Sequence, residues 1–110
     1  MSSTATEARK VATKTVVVAD DTAFVRDRFK SALESAGHNT ITVANGTELF
    51  ARVKANPVGI DLVVVDLRLP QANGVNIVRA LRTIDPQRPP IVVFSGTIAN
   101  SAEVLSLIHI

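Results

Sequence analysis

Four short apolar runs recur along the chain, each closed by polar or small residues: "TVVVA" (15–19), "NTITVA" (39–44), "IDLVVVD" (60–66) and "PPIVVFSG" (89–96). Runs this short and this rich in Val and Ile predict strands buried on both faces, the second weaker because threonines interrupt it. Between them the period changes. "TAFVRDRFKSALESAG" puts Val25, Phe29, Ala32 or Leu33, and Ala36 on one helical face, with Arg26, Lys30 and Glu34 opposite, and Gly37 as the stop. A second helix is expected from Thr47 to about Ala55, with Leu49, Phe50 and Val53 inward, after an Asn45-Gly46 turn. A third is expected from Val75 to about Ile84, and a fourth from Ile98.

The order βαβαβαβα argues for a doubly wound parallel sheet with right-handed crossovers and helices on both faces. Sites in such sheets form outside the carboxyl ends of the strands. The first strand ends in Asp20 and Asp21, the third in Asp66, the fourth in Ser95-Gly96, and the second in a turn pair. Burying an unpaired carboxylate costs several kcal/mol. If strands one, three and four are neighbours, three carboxylates and a hydroxyl converge, and either a proton is retained or a cation sits among them. Oxygen donors without His or Cys favour a hard ion, Mg²⁺ in particular.

Composition narrows the alternatives. The chain has 110 residues, room for one domain, and 46% of them are apolar. No Trp or Tyr and only 4 Phe leave little to stack on bases, and the net charge of +2 is spread along the chain, so nucleic-acid binding is not expected. With no cysteine there are no disulfides, thiolate nucleophiles or ordinary structural zinc sites, and the 2 histidines, His38 and His109, lie far apart. His38, in a turn before the second strand, reads as solvated, and Asp61 as a surface or turn carboxylate. Phe29 falls in the core by spacing, while Phe24 fits either core or an exposed contact. No apolar stretch approaches membrane-spanning length and "MSSTATEARKVATK" has no apolar signal segment, so a cytoplasmic protein is expected. Residues 1–13 read as a disordered lead-in.

The residues from Thr15 to about Val104 resemble the receiver domain of two-component response regulators. The acidic pair follows the first strand, Pro70 and Gly74 stand four and eight residues after Asp66, and "VVFSG" supplies a hydroxyl followed by a small residue. The resemblance implies a flavodoxin-like sheet of order 2-1-3-4-5, and a phosphorelay role rather than an enzyme with an external substrate. Asp66 would take a phosphoryl group from a sensor histidine kinase or a phosphotransfer protein. Asp21, Asp66 and the backbone carbonyl of Arg68 would hold Mg²⁺, with Asp20 acting through a bound water. Ser95 would bond a phosphoryl oxygen, and Gly96 would keep the approach open. Pro70 and Gly74 shape the loop, Gly74 suiting a turn with positive φ, and the Arg68 side chain is expected to face solvent.

A haloacid-dehalogenase-type phosphatase also uses a strand-end aspartate and Mg²⁺, but its general acid would fall at Arg68, which cannot donate a proton at neutral pH. A phosphorylation-independent interaction module is the other alternative, and the intact acidic positions disfavour it. Receivers also carry a lysine at the end of a fifth strand. Only fifteen residues follow Ser95, whereas a helix, a strand and their connections need roughly twenty. The fifth strand and helix are therefore expected to be missing, with residues 14–104 an incomplete receiver whose output the sequence does not specify. The last six residues, "LSLIHI" (105–110), resemble the translation of a transposon-end adapter used in sequencing libraries and are expected to be foreign, the alternative being a native helix end in which Leu105 and Ile108 continue the apolar face from Val104. Such a chain, alone, would expose a parallel edge and apolar sheet surface and tend to aggregate.

Overall fold

The computed structural model describes residues 12–67, 69 and 74–94. Four parallel strands, β1 (Thr15–Ala19), β2 (Asn39–Val43), β3 (Leu62–Asp66) and β4 (Ile91–Phe94), form one sheet in the order β2-β1-β3-β4. Helices α1 (Ala23–Ser35), α2 (Gly46–Ala55) and α3 (Gly74–Ile84) connect them, with a short 3₁₀ turn at Pro57–Gly59 before β3. The expected order 2-1-3-4 is what forms. The lead-in up to residue 11, the fourth helix from Ile98 and the hexapeptide 105–110 lie outside the described residues.

The topology dictates which face each helix covers. The chain moves outward from β1 to β2, then returns past β1 to β3 and continues to β4. Because parallel crossovers are right-handed, this reversal sends α1 to one face and α2 and α3 to the other. The strand valines divide accordingly. Val16, Val18, Leu62 and Val64 pack with Phe29 and Leu33 of α1. Val17, Ala19, Val43, Val63 and Val65 pack with Leu49 and Val53 of α2 and with Ile77 and Leu81 of α3. The middle strands are therefore apolar from Val16 to Ala19 and from Leu62 to Val65. No helix among the described residues is long and apolar enough to cross a membrane.

Three local details depart from the sequence expectation. His38 is buried, not solvated, at 3% exposure. Helix α1 ends in a Schellman motif: the Gly37 N–H donates to the Glu34 carbonyl, the His38 N–H donates to that of Leu33, and Gly37 takes a φ of 93°. That motif turns the second residue past the cap inward. His38 Nδ1 there accepts a 3.0 Å bond from the Lys14 N–H. Ala36, expected on the inner face, is the exposed cap residue of the same turn. Asn45 serves as N-cap of α2, so the helix begins at Gly46 rather than Thr47. Its side chain accepts from the Glu48 N–H, and Glu48 Oε1 accepts from the Ala44 N–H.

The exposed Asp61 also has a structural task. Its Oδ2 accepts from the Thr15 N–H at 2.8 Å while its own N–H donates to the Thr15 carbonyl, which fixes the start of β3 against the start of β1. The two α1 phenylalanines differ sharply, Phe29 being 1% exposed and Phe24 66%. Phe29→Ala should destabilise the fold by about 3–5 kcal/mol. Phe24→Ala, which loses only a surface contact with Arg28, should change stability by under about 1 kcal/mol. Urea titration of both variants checks the assignment, and comparable losses would contradict it.

Candidate functional site

The site lies where the strand order reverses, at the carboxyl ends of β1 and β3. In register, Ala19 faces Val65, so the next residues along the two strands, Asp20 and Asp66, come side by side. Asp20 is 1% exposed and Asp66 8%, and the neighbouring Asp21 is exposed. One carboxylate oxygen from each of the three lies within 4.8 Å of the others. The convergence expected from the strand ends is therefore present for all three carboxylates.

Backbone bonds hold the arrangement. The Asp20 N–H donates to the Val43 carbonyl at 3.1 Å, extending the β1–β2 ladder by one residue. Asp20 Oδ1 accepts from the Thr22 N–H at 2.7 Å, a local turn that bends the chain out of the sheet and into α1. Thr22 is the N-cap of that helix, yet its side chain makes no cap bond. On the β3 side the Leu67 N–H donates to the Phe94 carbonyl at 2.7 Å, and the Leu69 N–H returns to the Asp66 carbonyl at 3.1 Å. Leu69 is 3% exposed and joins the core under α2 and α3. That apolar anchor, set among loop residues, pulls the chain beyond Asp66 back toward the sheet and leaves the carboxylate at the strand end.

Electrostatically the cluster is strained. Burial, together with the neighbouring Asp66 carboxylate, pushes the Asp20 carboxyl above its ordinary value, against the lowering effect of the Thr22 N–H. A donor set of three carboxylates without His or Cys suits a hard, oxygen-seeking divalent cation. Such an ion would relieve both burial and repulsion.

Of the residues singled out by sequence, Asp20, Asp21 and Asp66 come together. Arg68, Pro70, Ser95 and Gly96 lie outside the described residues, and Gly74, expected in a turn with positive φ, instead opens α3. Phe94 precedes Ser95 in the chain, and its carbonyl is bonded to the residue that follows Asp66. Sequence reasoning missed Arg26. The helical pattern puts it on the outer face, but its Nη1 donates to the Asp20 carbonyl at 2.7 Å. It missed Leu69 as well, since an apolar residue between Arg68 and Pro70, past the end of a strand, carries no periodic signal.

A sequence model of the response regulator receiver domain matches residues 16–108. Chemotaxis protein CheY of Thermotoga maritima is 32% identical over 80 residues, covering 72% of this chain and 65% of that protein. The C4-dicarboxylate transport transcriptional regulatory protein DctD of Rhizobium meliloti is 33% identical over 82 residues, 74% of this chain and 17% of that protein. The match thus spans less than two thirds of the length of either relative. Among solved structures, a response regulator receiver protein from Pseudomonas putida superposes with a TM-score of 0.68 at 26% identity, over 89% of this chain and 79% of that one.

The raised Asp20 carboxyl has a consequence for stability. A carboxyl whose folded pKa exceeds its unfolded one contributes stability that is present below the unfolded value and lost as pH rises through the folded one. Asp20→Asn keeps the oxygen that accepts from Thr22 but removes the charge. In chelator, the variant should therefore melt several degrees above the wild type at neutral pH. The gap should open as pH climbs from the ordinary value of 3.8 to beyond the raised one. Thermal melts across that range test this, and a gap independent of pH would count against charge burial as its cause.

Proposed function

This chain belongs to the response regulator receiver domain family of two-component signalling, and on that premise we propose that Asp66 is its phosphoacceptor. The observation that carries the reading is the meeting of Asp20, Asp21 and Asp66 at the switch point of the sheet. Asp66 sits at the end of a rigid strand, so its carboxylate oxygen is held for in-line attack on phosphorus. An O–P bond forms to Asp66 as the P–N bond of a phosphohistidine breaks, and the imidazole leaves with the electron pair. The donor is a sensor histidine kinase or a phosphotransfer protein.

The cation that fits the three carboxylates is Mg²⁺, which Asp21, Asp66 and the main-chain carbonyl of Arg68 would hold, with Asp20 contributing through a bound water. When bound, Mg²⁺ supplies positive charge to the phosphoryl oxygens and to the crowded carboxylates. Asp20 and Asp21 orient that charge, and burial of the strand end limits water around Asp66. Ser95 is assigned to a phosphoryl oxygen and Gly96 to keeping the approach open; in support, the carbonyl of Phe94, which precedes Ser95 in the chain, accepts from the residue that follows Asp66. The domain is a signalling module that acts in the cytoplasm and whose only reactions are its own phosphorylation and dephosphorylation, and its effector is left unspecified.

Two variants of the full-length gene product test this reading. Asp66→Asn should abolish hydroxylamine-sensitive labelling by acetyl phosphate or a kinase, and undiminished labelling would remove Asp66 from the role. Asp21→Ala should keep the fold, yet weaken Mg²⁺ binding on the order of tenfold or more and slow labelling accordingly. An unchanged Mg²⁺ titration would move the ion elsewhere and leave a phosphorylation-independent interaction module as the better account.

A further inference from the structure

We propose that Arg26 is a positioning residue for the carboxylate cluster, clamping the Asp20–Asp21 peptide from the first turn of α1. The proposal rests on the metal-assisted reading of that cluster. Arg26 lies one turn inside the helix, and helical side chains lean back toward the N-terminus. The guanidinium thus reaches over the helix start and donates to the Asp20 carbonyl at 2.7 Å from a part-buried position. The same residue is anchored through its backbone, the Arg26 N–H donating to the Thr22 carbonyl at 3.0 Å.

The choice of acceptor is what matters. The Asp20 carbonyl and the Asp21 N–H belong to one rigid peptide unit. Fixing that carbonyl fixes the plane from which the Asp21 Cα and its carboxylate depart. Asp20 is already held through its N–H to Val43 and through its side chain to Thr22. Asp21 is exposed, and its side chain accepts a long 3.4 Å bond from the Thr22 hydroxyl. Its aim into the cluster therefore depends on the peptide that Arg26 holds. Thr22 leaves a place for such a clamp, since it makes no side-chain cap bond.

Simple electrostatics predicts the opposite result for the same substitution, which makes the proposal testable. Arg26 is a cation near a cation site, so removing its charge alone should tighten Mg²⁺ binding. Removing a clamp should weaken it. In the full-length gene product, Mg²⁺ affinity is measured by calorimetry, with acetyl-phosphate labelling followed over rising MgCl₂. Arg26→Ala should raise the half-saturating Mg²⁺ concentration on the order of tenfold, with the labelling rate at saturating Mg²⁺ close to wild type. Arg26→Lys, which keeps a donor and the charge, should recover much of the affinity. Arg26→Gln, neutral but still a donor, should fall between and serves if the alanine variant does not fold.

The Thr22 amide proton resonance should shift in proportion to the loss. Affinity equal to or tighter than wild type in the folded variants would overturn the clamp while leaving the phosphoacceptor reading intact. A wild-type protein that binds no Mg²⁺ and takes no label would overturn both.

Discussion

Two carboxylates stand side by side at the ends of apolar strands, and much of the rest of the fold is what holds them there. Asp20 and Asp66 are almost fully buried, at neighbouring ends of parallel β1 and β3. Left to themselves they would protonate, separate or turn toward water, because desolvation and like-charge repulsion act in the same direction. What keeps them together is that the residues just before them are fixed. Val16, Val17, Val18, Val63, Val64 and Val65 are wholly inaccessible and packed on both faces. Close-packed interiors of this kind resist small displacements. The hydrophobic driving force on two faces of the sheet offsets the repulsion at its edge.

Helix α1 links this core to the site. Phe29 and Leu33 pack against Val16, Val18 and Val64, and Arg26, less than one turn earlier, reaches the Asp20 carbonyl. The Phe29 ring also meets that of Phe94, with centroids 5.5 Å apart. The Phe94 carbonyl in turn accepts from the residue that follows Asp66. One helix therefore touches the β1 end through a polar contact and the β4 end through an aromatic one. The second face contributes differently, through Leu69, whose burial under α2 and α3 tethers the loop beyond β3.

What the sequence made legible were the features that interrupt a pattern. A carboxylate directly after four apolar residues is such a break, and Asp66 was found that way, as was the acidic pair after β1. The alternation of strand and helix periods was enough to give the 2-1-3-4 order once a right-handed, flavodoxin-like winding was taken from the family resemblance. The misses share a different cause. His38 was read from its turn-like neighbours, but the Schellman geometry, decided by Gly37 and by the end of α1, turns that position inward. Asn45 with Gly46 carries equal signals for a turn and for a helix cap, and Glu48 at the third helical position resolved them. Arg26 sits on the polar face of α1 by periodicity. That its long side chain bends back to a main-chain carbonyl is a matter of rotamer and loop path, and neither is written in residue spacing.

On the proposed reading, phosphorylation of Asp66 adds charge at the point of greatest electrostatic strain, and something must yield. The sheet is poorly suited to do so, since its central valines have no free volume and their ladder bonds fix their separation. The parts around the cluster that lie off the sheet ladder are the Asp20–Thr22 turn, kept by a local side-chain bond and by Arg26, and the chain entered at Leu67, kept among the described residues by the Leu67 bond to Phe94, the Leu69 bond back to the Asp66 carbonyl and the burial of Leu69. On that reading a change at the acceptor acts first on these two segments, with the sheet as the fixed frame. The asymmetry matters. Beyond the strand the β1 side is held through polar bonds, whose strength responds directly to nearby charge, whereas the β3 side adds to its two main-chain bonds an apolar side chain whose burial does not.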